Sequence, residues 1–296
     1  MIGGVVTELE GRSATVEKSL QNQIESNLDA FLGVRMVASE YSTGKKHGGR
    51  IDTLGIDEDG SPVIIEYKRS LNENVINQGL FYLDWLMDHK AEFTLNVMNK
   101  FGKDIADLID WSGPRLLCIA GDFTKYDQHA VKQINRNIEL IRYKRYGNDL
   151  LLFDLVNATT AQNHNEGVSA SENGGKKNYK TVSEYHAQAD QHLIDLFETI
   201  KAFLLAMGDD VQIKTLKFYY AFKRFKNFAC VEVHPQTGQL LIFVKVDPNT
   251  IELEDGFTRD VSNIGHFGTG NLEIRIKSEK DFEKAKPLLI QSYEVS

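Results

Sequence analysis

Cysteine is nearly absent: Cys118 and Cys230 are the two in 296 residues. They lie far apart, each inside an apolar, strand-like run, so the spacing supports neither a disulfide framework nor a zinc or CxxC redox motif. Both read as buried thiols of a reducing compartment. No apolar run approaches the roughly eighteen residues that a membrane-spanning helix needs. The first twenty residues lack a basic segment and turn acidic early, so no signal peptide is read and the cytoplasm is the expected address. An excess of positive charge is lacking too. With 34 Lys and Arg against 42 Asp and Glu, the net charge is −8, which argues against a passive coat on nucleic acid. Basic residues do gather locally, at Lys125, Lys132, Arg136, Arg142, Lys144 and Arg145, the first place to look for phosphate contacts.

What is present is the composition of a globular protein, 42% hydrophobic and 26% charged, long enough for one large core or two ordinary ones. Near residues 158–181 the chain loses large aliphatics and gathers Asn, Ser, Gly and Thr, which predicts a flexible linker between domains at 1–157 and 182–296. In the first domain "SATVEKSLQNQIESNLDAFLG" has helical spacing, "VRMVASEY" is strand-like, and "RIDTLGID" and "PVIIEYK" flank a turn. "NENVINQGLFYLDWLMDHKAEFTLNVMNK" then reads as a long helix, "PRLLCIAGDF" as a strand, "DQHAVKQINRNIELI" as a helix and "NDLLLFDLV" as a strand. This mixture predicts an α/β fold with a mixed sheet flanked by helices. In the second domain a helix over "SEYHAQADQHLIDLFETIKAFLLAMG", strands at "FACVEVHP", "QLLIFVKV" and "LEIRIK", and a closing helix predict a separate α+β unit. Its "KFYYAFKRFKNF" could stack bases, but Phe218, Tyr219, Phe222 and Phe225 at helical spacing read better as a core face.

Charge in the two hairpin strands needs explaining. Side chains alternate faces along a strand, so Asp52 shares a face with Leu54 and Ile56, and Glu66 with Ile64 and Lys68. Two carboxylates brought together beside aliphatics repel one another and resist desolvation, unless one takes a proton or a cation binds. Hard oxygen donors, with no His or Cys at ligand spacing, would suit Mg²⁺ or Mn²⁺. The plainer alternative is a solvated strand edge on which Asp52 and Glu66 pair with Arg50 and Lys68.

"GGRIDTLGID" followed by "PVIIEYK" resembles the PD-(D/E)XK nuclease superfamily, and the N-terminal domain resembles NucS-like endonucleases. Ile51 stands where that superfamily often has proline before the Asp. The resemblance implies a restriction-endonuclease-like sheet and Mg²⁺- or Mn²⁺-dependent phosphodiester hydrolysis, most simply by a DNA endonuclease. It implies Asp52, Glu66 and the Tyr67 backbone carbonyl as metal ligands, with Lys68 positioning or deprotonating the attacking water. Gln78 and Tyr82, four residues apart, resemble the Gln-x-x-x-Tyr element of RecB-type nucleases. Gln78 would orient the nucleophile or a phosphate, while Arg50, Arg69 and Tyr82 would contact nucleic acid. Glu25 would supply an auxiliary catalytic acid, with Glu40 as its competitor.

The second half resembles an uncharacterised domain found behind such nucleases and termed in places a predicted transport protein, although no hydrophobic span supports transport. In "GHFGTGN", glycines beside His266 and Thr269 suggest a phosphate cradle, but no helix follows, so a turn is the better reading. The expected function is a metal-dependent nuclease that this domain targets or regulates. The rival is a catalytically silent nucleic-acid or protein-binding adaptor on a nuclease-derived scaffold. Nucleic acid, above all DNA, is the expected partner and a membrane is not; a homodimer fits either reading.

Overall fold

The first half folds as β1 (Gly11–Arg12), α1 (Glu17–Glu25), α2 (Leu28–Leu32), β2 (Val34–Ser42), α3 (Gly44–His47), β3 (Arg50–Asp57) and β4 (Pro62–Lys68). It continues through α4 (Asn74–Asp88), α5 (Lys90–Phe101), α6 (Lys103–Ala106), β5 (Arg115–Ala120), α7 (Lys125–Lys132), β6 (Asn137–Tyr146) and β7 (Leu150–Thr159). The structure is a computed structural model that describes residues 11–12, 17–68, 74–147, 150–161 and 180–296. The chain divides into two compact units, Met1–Gly167 and Val168–Ser296. Residues 162–179, most of the expected linker, lie outside the described residues, while Asn157–Thr159 belong to β7.

In the first unit β7, β6, β5, β4, β3 and β2 lie side by side, with β1 beside β6. The β4–β5 and β5–β6 pairs are parallel and the others antiparallel, which makes the sheet mixed. All six residues of β5 are buried, as central parallel strands covered on both faces require. Leu54, Ile56 and Ile64 pack with Leu116, Cys118 and Leu140 under Val75, Leu83 and Leu86 of α4, Phe93 and Val97 of α5 and Val131 of α7. α1 and α2 lie on the other face, where Thr53 points.

Three long helices read from the sequence are each broken in two. Between α1 and α2, Ser26 and Asn27 donate side-chain hydrogen bonds back to the carbonyls of Asn22 and Gln23, competing with continuation of the helix. At the end of α4 the His89 ring bonds the Trp85 carbonyl. In the second unit Asp190 starts a new helix by accepting from Leu193 N–H. The expected helix "DQHAVKQINRNIELI" stops at Lys132, and Asn137–Ile141 open strand β6, where pairing with β5 overrides helical spacing.

The second unit comprises α8 (Val182–His186), α9 (Gln191–Leu205), β8 (Gln212–Thr215), β9 (Tyr220–Lys223), β10 (Asn227–His234), β11 (Gln239–Val244), β12 (Thr258–Asp260), β13 (Leu272–Ile276) and α10 (Glu279–Glu294). Its antiparallel sheet runs β12-β13-β11-β10-β9-β8. Leu193, Phe197, Ile200 and Leu204 of α9 and Phe282 and Leu289 of α10 bury against Val231, Leu240, Ile242 and Ile274. "KFYYAFKRFKNF" is therefore not a helix face. Tyr220–Lys223 form a strand, so Phe222 enters the helix-side core while Tyr219 and Ala221 join a second cluster with Cys230 and Phe243. No helix among the described residues is long and apolar enough to cross a membrane.

Candidate active site

The β3–β4 hairpin is fixed at its turn. One Asp57 oxygen accepts the backbone N–H groups of Asp59 and Ser61. The other accepts from buried Arg115, whose guanidinium also reaches Glu139. With that end pinned, Leu54 pairs with Ile64 and Thr53 with Ile65, so the next residues outward are Asp52 and Glu66. There the strands part, and each acid closes the gap left for the other. Asp52 N–H donates to Glu66 Oε1 at 3.2 Å, and Tyr67 N–H donates to Asp52 Oδ2 at 3.1 Å.

Glu66 is fully buried, beside Cys118 in the parallel ladder, and its Oε2 has no hydrogen-bond partner among the described residues. Burial, and then the charge of Asp52, push its carboxyl up to about 9. Burial also raises Asp52 above the usual carboxylate range, against the pull of the Tyr67 amide and of Lys68. The solvated edge weighed from the sequence does not describe Glu66: its carboxyl is cut off from water and bonded to no cation among the described residues.

Lys68, partly buried, lies 3.5 Å from Glu17 Oε1 at the start of α1. Glu17 carries no motif in the sequence; it stands eight residues, about two helical turns, before Glu25, and its charge acts on Asp52. Glu25 is engaged elsewhere. Its carboxylate accepts from Thr53 Oγ1 at 2.6 Å, from Ser39 Oγ and from Gln21 Nε2, on the face that carries α1. Glu40 lies between Ser39 and Tyr41, which pair with Thr53 and Ile51 of β3, and has φ 54°, a left-handed conformation that non-glycine residues rarely adopt. Lys18 and Arg50 bond its carboxylate, and the Lys18 hydrogen bond holds it below the usual range.

Tyr82 of α4 reaches the entrance of β3, where its hydroxyl accepts Arg50 N–H at 3.0 Å and contacts Gln78 Nε2 at 3.4 Å. Gly49 is required here, because a Cβ would come within 2.5 Å of the Tyr82 ring. The Arg50 side chain is 66% exposed. Arg69 lies outside the described residues. In the basic segment, Arg142 is bound by Asp122 and Asp154. Asp52, Glu66, Lys68, Arg50, Gln78 and Tyr82 thus gather at one end of the hairpin, and Glu25 does not join them.

A model of a domain of unknown function, DUF5655, matches residues 182–296. Across 98% of its length the chain is 29% identical to an uncharacterized protein of Haemophilus influenzae, of which it covers 96%. Among solved structures, a repair endonuclease from Pyrococcus abyssi aligns with 46% of the chain at 18% identity and a TM-score of 0.29, and an EndoMS–dsDNA complex with 47% at 17% and 0.25. The alignments span 49% of each solved chain. Similarity at this level assigns neither a fold nor an activity.

No group of three His, Cys, Asp or Glu side chains able to hold a metal occurs among the described residues. The carboxylates that lie side by side here are two, those of Asp52 and Glu66, each accepting a main-chain N–H. Mg²⁺ commonly uses one or two carboxylates and keeps water in its remaining positions, so this set fits it better than a closed cage would.

Proposed function

We propose that the first unit is a metal-dependent phosphodiesterase acting on nucleic acid, most simply a DNA endonuclease. The observation that carries this reading is the reciprocal capping of Asp52 and Glu66, which leaves Glu66 Oε2 buried, unpartnered and beside a second carboxylate. A pair so placed is costly in a structural role and useful where a divalent cation binds. Asp52 and Glu66 would hold Mg²⁺ or Mn²⁺, with the Tyr67 carbonyl as a third donor. When bound, the cation would lower the proton affinity of a bound water and offset charge on the phosphate.

The chain's own groups supply the rest. Lys68, held near Glu17, offers an ammonium to position the attacking water and to balance charge on the phosphate oxygens. Gln78 and Tyr82 orient substrate beside the Arg50 amide. Glu17 takes over the auxiliary part expected of Glu25. The second unit would target or regulate the first.

A cleavage panel of single-stranded, double-stranded and branched DNA with Mg²⁺ or Mn²⁺ tests the proposal. Asp52→Ala and Lys68→Ala should each lose roughly 100-fold or more in turnover while remaining folded. Wild-type inertness on every substrate, together with calorimetric Mn²⁺ binding that Glu66→Gln leaves unchanged, would refute it. The lack, among the described residues, of three side chains grouped to hold a metal favours the silent adaptor as second reading. That adaptor would bind nucleic acid or protein without cutting.

A further inference from the structure

Neither register that flanks β3 pairs Asp52. On the β2 side Ser39 and Tyr41 pair with Thr53 and Ile51, and on the β4 side pairing begins at Thr53. Side chains hold the Asp52 main chain instead. Glu66 Oε1 accepts its N–H, and Gln21 Nε2 of α1 donates to its carbonyl at 3.0 Å. The Asp52 carboxylate, which accepts Tyr67 N–H, therefore projects from a backbone gripped between Gln21 and Glu66.

Gln21 is 3% exposed and its amide is engaged at both ends. Nε2 also donates to Glu25 Oε1 at 3.0 Å, and Oε1 accepts from Lys18 Nζ at 3.1 Å. The Asp52 carbonyl and the Glu25 carboxylate accept, whereas the Lys18 ammonium donates, so one orientation of the amide satisfies all three. Docking α1 does not call for an amide, since Leu20 and Ile24, fully buried, serve that purpose by packing. Glu17, Gln21 and Glu25 recur every fourth residue and form one stripe along α1. At one end Glu17 meets Lys68, and at the other Thr53 and Ser39 fix Glu25. Gln21, between them, fastens the stripe to Asp52 itself.

We propose that Gln21 is a positioning residue, which sets the Asp52 main chain and through it the spacing of the two carboxylates that would hold the cation. The inference rests on the proposed function of the first unit and assigns Gln21 no contact with the reacting atoms. Groups that orient metal ligands from behind typically govern affinity or turnover by roughly 10–100-fold, and a reacting group displaced by about 1 Å can cost ~100-fold.

Full-length Gln21→Met, Gln21→Glu and Ser39→Ala would be compared with the wild type for Mn²⁺ affinity by calorimetry, and for kcat and KM on the DNA that the wild type cuts. Gln21→Met keeps the bulk but removes the donor. Gln21→Glu keeps the shape and a partner for Lys18 while turning oxygen towards the Asp52 carbonyl, and it carries the test if Gln21→Met unfolds. Ser39→Ala removes a different donor to Glu25 and leaves Asp52 untouched. Both Gln21 variants should bind Mn²⁺ roughly 10-fold more weakly or worse and lose roughly 10-fold or more in kcat with KM little changed, whereas Ser39→Ala should match the wild type. Wild-type Mn²⁺ affinity in the folded Gln21 variants, a loss confined to KM, or an equal loss in Ser39→Ala overturns the inference and leaves the proposed function standing. A wild type that neither binds Mn²⁺ nor cuts DNA overturns both.

Discussion

Replacing Glu66 with Gln should make the first unit more stable, by an amount that grows with pH. In the folded chain Glu66 keeps its proton up to about 9, whereas the unfolded chain releases it above the ordinary 4.5. Between those values folding takes up a proton, so the contribution is fully present below 4.5 and is lost as pH rises towards 9. Each pH unit in that window is worth about 1.4 kcal/mol, so the wild type falls behind the Gln variant by about 3 kcal/mol at neutral pH and about 6 at the upper end. Because Glu66 is fully buried, no solvent discount applies. At neutral pH its uncharged carboxyl and the Gln amide present Asp52 with the same net charge, so the comparison isolates ionisation. Urea titrations read by tryptophan fluorescence provide the assay, since Trp85 and Trp111, the two tryptophans, both lie in the first unit. Adding Mn²⁺ should narrow the gap, because a carboxylate that binds metal gives up its proton. A gap that stays constant from acid to mildly alkaline pH would mean that Glu66 ionises normally in a wet pocket, and the argument for a sequestered acid would fall.

Two further predictions concern the frame around the site. Gly49→Ala should cost about 1–3 kcal/mol in the same titration, because the new methyl group must displace the Tyr82 ring; an unchanged midpoint would contradict the packing described. Arg115→Met should cost about 3–5 kcal/mol by taking its charge away from buried Asp57 and Glu139, and adding Asp57→Asn and Glu139→Gln should recover much of the loss. Failure of that rescue would mean that Arg115 acts mainly through its packing.

The acids on the hairpin were legible because strand alternation and a short turn are local properties, and together they set which residues oppose one another. Glu17 was not, since its approach to Lys68 depends on where α1 docks, and the two residues are far apart in the chain. Apolar periodicity continues past Ser26 and Asn27 and so overstates the helix, whereas the interruption comes from polar side chains bonding back to the main chain. Ile138, Leu140 and Ile141 satisfy helical and strand spacing alike, and pairing with β5 decided for a strand. The aromatics of "KFYYAFKRFKNF" posed the same ambiguity and were resolved by the β9–β10 hairpin.

The parallel centre of the first sheet bears on the order of assembly. β3 and β4 meet through a short turn, but Val63 of β4 must find Arg115, with α4, α5 and α6 in between. Contacts so distant along the chain form slowly. The hairpin should therefore arise while its carboxylates are still hydrated, and Glu66 should acquire its raised proton affinity once β5 has paired beside β4. On that order of assembly, the chemistry of this site would be a late product of folding.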